Sequence, residues 1–182
     1  MRPRLAADAP QDVLGSVPTV APQERLRLAR VLVWVAGVAG VLHAAVSLYW
    51  ALGGQWLLAT VGQWAVELSA EAPFTAGIAL GLIALLKFLA ATIPVGVAYG
   101  RVPGARLWRA VSWVGGLLLI AYGGLNTVVS AAVLAGVIRP EGGYDAEAMR
   151  GHAYLWDPLF LVWGAALVLS LWLSRPTSTA AQ

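Results

Sequence analysis

His43, Ser47 and Trp50 recur at i, i+4 and i+7 in LHAAVSLYWALGG, a spacing that projects all three from one face of a helix. Lys87, Asn126 and Asp157 each sit in a different later apolar stretch. Tyr122 lies one turn before Asn126, and Trp156 is next to Asp157. A carboxyl, an imidazole and an amine set among aromatic rings can move protons on a greasy substrate while the rings stabilise a developing cation. In that scheme Asp157 or His43 handles the proton and Lys87 tunes it. The competing use is packing. Histidine and asparagine often tie transmembrane helices together, and an Asp before Pro158 suits a helix start. A buried Lys–Asp pair can also do no more than fix register.

The elements that must position these residues are four apolar runs, at about residues 28–52, 75–99, 107–138 and 154–173. Each reaches the roughly 20 residues needed to cross a bilayer as a helix. Only helices and closed barrels satisfy their backbone groups there. Lys87 lies fourteen residues before Arg101, and His43 thirteen after Arg30. At about 1.5 Å per residue both stand roughly 20 Å above the basic end. Asn126 and Asp157 come out near 25 Å, so the four polar groups share one layer of the bundle to within about 6 Å. An unpaired Lys at that depth costs on the order of 3 kcal/mol. Asp157 is its expected ionic partner, with His43 and Asn126 as neighbours. Tyr49, Trp50, Trp156 and Trp163 are expected to wall the layer on its outer side.

Composition agrees with a membrane class: 59% of residues are hydrophobic, 12% are charged, and mean hydropathy is +0.74. No cysteine is present, so disulfides and thiolate metal sites are excluded, and two histidines are too few for a self-contained imidazole site. No metal or cofactor is implied. The pI near 9.7 comes from arginines at the ends of apolar runs, not from a basic stripe with interleaved aromatics, so nucleic acid is not an expected partner. Arg2, Arg4, Arg25, Arg27, Arg30, Arg101, Arg106, Arg109 and Arg175 flank one side, and only Arg139 and Arg150 the other. That positive-inside bias predicts a multi-pass plasma-membrane protein with both termini cytoplasmic.

The expected fold is all-α: an integral membrane four-helix bundle, up-down-up-down, spanning 28–175. A Pro-rich disordered cytoplasmic tail (1–27) precedes it and a short one (176–182) follows. Residues 55–69, with Trp56 and Trp64, read as a short interfacial helix in the first outer loop. In the second outer loop, Asp145 is an N-cap candidate for an early start of the fourth helix. Small residues at four-residue spacing, such as Ala36, Gly40 and Ala44, predict close helix packing within the chain.

Two segments together carry a resemblance. YWALGG (Tyr49–Gly54) behind a helix-1 histidine, and HAYLWDPLFLVWG (His152–Gly164), are similar to a family of small actinobacterial four-helix membrane proteins, domain-of-unknown-function family 3995. AYGG, ending at Gly124, fits as well. The resemblance implies a four-helix membrane fold over about residues 30–175 and carries no catalytic residues with it. The residues themselves suggest an intramembrane pocket of His43, Ser47, Trp50, Lys87, Tyr122, Asn126, Trp156 and Asp157, for a lipophilic ligand or lipid. The alternative is an accessory subunit whose polar layer fixes packing and whose partner is another membrane protein. The lipid bilayer is a partner in either case.

Overall fold

A computed structural model describes residues 22–175. The long helices are α1 (Pro22–Ala51), α3 (Pro73–Ala98), α4 (Ala105–Leu134) and α5 (Ala146–Leu173). A 3-10 turn (Leu58–Thr60) and the short α2 (Gln63–Glu71) fill the loop between α1 and α3. There is no strand among the described residues. All four long helices are long and apolar enough to cross a membrane, which makes this a multi-pass membrane protein.

α1 starts at Pro22, so residues 22–27, expected in the tail, are helical. Proline is tolerated in a first turn, Glu24 complements the helix dipole there, and QERLRLAR is rich in good helix formers. The tail itself, residues 1–21, and residues 176–182 lie outside the described part. α4 stops at Leu134, four residues before the apolar run does. Gly136, with φ 72°, closes it: its N–H meets Val133 O at 3.0 Å and that of Val137 meets Ala132 O at 2.9 Å. α1 and α3 end in the same double-bonded motif at Gly53 and Gly100.

α1 packs along both α3 and α5, and α4 packs along α5, whereas α3 and α4 meet only sparsely. One end of the bundle gathers the start of α1, the end of α3, the start of α4 and the end of α5. There Arg30 and Arg101 flank the Tyr99 ring, and Arg109 donates to Ser174 Oγ and Leu171 O at 3.1 Å each. The inner core holds Ala36, Ala39, Ala91, Ala166, Leu167 and Leu171 around Trp163. Gly40 lies against Ala91 and the Trp163 ring, so the small residues of α1 serve packing within the chain. A second cluster of Trp50, Leu58, Ala65 and Trp156 binds the α1–α3 loop to the other end of the bundle.

Asp145 caps α5 by accepting from the N–H groups of Glu147 and Ala148, both at 3.0 Å. Its other oxygen takes Gln63 N–H at 3.1 Å, joining the α4–α5 loop to the α1–α3 loop. These bonds, Ala148 first, hold the carboxyl below its ordinary value of 3.8. Folding therefore favours the ionised form, and its contribution is full above 3.8 and lost as pH falls through the lower folded value. Asp145→Ala is expected to cost about 1 kcal/mol at neutral pH. Thermal unfolding across a pH series should show the gap to wild type closing in acid; a gap independent of pH would contradict the capping role.

Candidate functional site

The polar layer forms where α1, α3 and α5 meet, and it has two halves. In the first, Lys87 of α3 reaches α1. Its Nζ donates to Ser47 Oγ at 2.9 Å and lies 3.2 Å from His43 Nδ1. Nε2 of His43 faces Trp156 O at 3.2 Å. A carbonyl oxygen only accepts, so Nε2 carries the ring proton and Nδ1 accepts from Lys87. Ser47 passes its own proton to His43 O at 3.1 Å. Phe160 of α5 closes this half, stacked on His43 at 3.9 Å with its face 5.3 Å from Lys87 Nζ. His43 and Ser47 are buried and Lys87 is half-buried.

The second half centres on Asp157, which is 0% exposed. Its Oδ2 lies 2.7 Å from His152 Nδ1, and His152 Nε2 faces Val61 O at 3.3 Å. Val61 O accepts from the Nε2–H, so the 2.7 Å contact between Nδ1 and Oδ2 requires one further proton, shared by the two residues. Oδ1 is buried without a hydrogen-bond partner. The Asn126 amide lies beside the carboxylate and the Tyr122 hydroxyl but does not reach Oδ1 in bonding geometry.

The expected Lys87–Asp157 ion pair is therefore replaced by two separate arrangements. Lys87 uses neutral acceptors on α1, and Asp157 uses His152, five residues earlier on its own helix. Five residues put two side chains on different faces of an α-helix. Here residues His152–Trp156 form a π turn, whose wider winding realigns them. Pro158 supplies the cause, since it lacks an N–H and its ring would crowd the Tyr154 carbonyl in a regular helix. His152 and Phe160 are the residues that periodicity missed, and Pro158 is the signal that could have found the first.

The aromatic wall also differs from expectation. Trp50 and Trp156 do lie on the loop side, edge to face at 5.2 Å, with indole N–H groups donating to Trp56 O (2.9 Å) and Thr60 Oγ1 (3.0 Å). Trp163 instead belongs to the inner core, because one turn past Phe160 it meets the small face of α1 at Gly40. Tyr49 is exposed, with its hydroxyl accepting from Trp56 N–H at 3.4 Å. Tyr122 is also exposed, with its ring against Phe160 at 5.7 Å and its hydroxyl beside Asn126. Among the described residues no three His, Asp or Glu side chains are grouped to hold a metal.

Comparison finds no match among curated proteins or solved structures. A family model described as protein of unknown function (DUF3995) matches residues 40–167, a span that contains His43, Lys87, His152 and Asp157. With most of its length matched, including both halves of the polar layer, the chain belongs to the DUF3995 family.

Proposed function

We propose that this protein holds a lipophilic small molecule or lipid against its polar layer. One observation carries the reading: the layer's charged groups keep unspent bonding capacity. A layer that only fixes register would saturate its members, because unsatisfied groups at this depth are costly. Among the described residues, Lys87 has no carboxylate within ion-pair distance and Asp157 Oδ1 has no hydrogen-bond partner. A cavity of about 250 Å³ also lies between the sparsely packed α3 and α4, lined by Leu86, Leu89, Trp108, Leu119 and Trp163; it opens on the inner core and not on Lys87 or Asp157. In the orientation set by the arginines the chain threads up-down-up-down. The layer then lies in the outer half of a bacterial plasma membrane, both termini are cytoplasmic, and α2 rests at the outer interface with Trp64 at headgroup depth.

Native mass spectrometry of protein released from its own membranes tests this. Lys87→Met is expected to lower retention of a co-purifying lipophile about tenfold, the loss of one charge-assisted hydrogen bond. Unchanged retention in a folded variant would overturn the pocket.

A second reading, an accessory subunit, draws on the bonds from Trp50, Trp156 and His152 to the first outer loop, which shape one outer surface. A stoichiometric protein recovered with the chain from native membranes, with no bound lipophile, would favour it.

A further inference from the structure

Independently of the polar layer, the seam between α1 and α3 opens on its lipid-facing side into a groove of about 590 Å³. Val38 and Leu42 of α1 and Thr92 and Val95 of α3 line it. A cavity of about 440 Å³ continues the same seam past Val41 to Leu48. From Trp34 to Leu48 the two follow α1 for roughly 21 Å, the scale of an extended acyl chain.

The basic end of this groove changes character within a few ångströms. Trp34 Nε1 donates to the Tyr99 hydroxyl at 3.0 Å, leaving the Tyr99 proton to donate outward. The guanidinium groups of Arg30 and Arg101 lie 5.9 Å and 6.0 Å from the Tyr99 ring centroid. Both arginines are exposed, and neither forms an ion pair with a described residue. Apolar channel, aromatic belt and Arg101 follow one another along the groove, with Arg30 against the same Tyr99 ring, in the order of acyl chain, glycerol ester and phosphate. A neutral lipid would use the channel and leave the two cations uncompensated.

We propose that this groove binds one anionic phospholipid, with an acyl chain along the α1–α3 seam and its phosphate at Arg101, beside Tyr99, where Arg30 adds a second positive charge. The full chain is reconstituted into phosphatidylcholine bilayers doped with phosphatidylglycerol, and retained lipid is read by native mass spectrometry. Preferential retention of one phosphatidylglycerol per chain is expected. Arg30→Gln with Arg101→Gln should cut that preference about twenty-five-fold, about fivefold for each basic residue. Arg139→Gln with Arg150→Gln, at the other end, should leave it unchanged. Val38→Trp, a change at a half-exposed position that fills the channel, should displace the lipid with the arginines intact, and a thermal melt confirms that it folds. Equal retention of both lipids by the wild type, or preference surviving the Arg30 and Arg101 changes, overturns the site. Unchanged binding by Val38→Trp overturns it too, reducing the effect to surface attraction.

Discussion

Gly123→Ala is expected to destabilise the protein by about 3 kcal/mol, whereas Gly115→Ala on the same helix leaves stability unchanged or slightly raised. Both glycines lie inside α4, so the gain in helix propensity is common to the two changes. They differ in what a Cβ would meet. At Gly123 it would stand 2.5 Å from Asp157 O and 2.7 Å from Leu161 N, both backbone atoms of α5. At Gly115 nothing lies within 4 Å. Backbone cannot rotate away as a side chain can, so α4 and α5 must separate. The same crossing recurs one face down, where a Cβ on Gly164 would meet Gly116 O at 2.7 Å. Gly164→Ala should therefore cost a similar amount, and the double variant less than the sum, since the first change already opens the interface. Thermal unfolding in one detergent measures the four variants against the wild type. Equal melting of the Gly123 and Gly115 variants would mean that the crossing is looser than its geometry. Separation here would also carry Asp157 away from Asn126, so if the polar layer holds a lipophile its retention should fall together with stability.

What the sequence makes legible follows from which physical quantity each inference used. Apolar length is one-dimensional, and it places four long helices. Depth is also one-dimensional, because rise per residue is constant, and it brings Lys87 level with His43. Azimuth is not, since it depends on where each helix is rotated and where its winding changes. Lys87 and Asp157 share a depth, yet Lys87 turns to α1 and Asp157 to His152. The π turn before Pro158 shifts every later side chain of α5 relative to a regular helix. That shift aligns His152 with Asp157, a pair that regular 3.6-residue periodicity hides. Helix ends were missed for a smaller reason. The apolar run through LAGVI continues past Gly136, but a single positive-φ glycine suffices to close α4.

Asp157→Ala and Asp157→Asn are expected to separate cleanly, and the contrast decides whether the His152–Asp157 unit serves the fold or a ligand. The Ala change removes the 2.7 Å bond to His152 Nδ1 and leaves that nitrogen unpartnered, while Nε2 stays on Val61 O. It also empties a site that is 0% exposed. Loss of one partner from a buried pair, with a void in its place, should cost about 3 kcal/mol. The Asn change keeps the volume. Its amide donates to Nδ1 of the neutral ring, and its carbonyl takes the place of Oδ1, so stability should stay within about 1 kcal/mol of wild type. It cannot carry the shared proton, however. If the unit faces a ligand, Asp157→Asn should fold normally yet retain less of the co-purifying lipophile, with Lys87 still in place on Ser47 and His43. If it is structural, Asn should match wild type in both thermal unfolding and ligand retention, and only Ala should fail. An Ala variant as stable as wild type would mean that this pair holds nothing together. The unpartnered Oδ1 would then be the strongest remaining evidence that the site is built for another molecule.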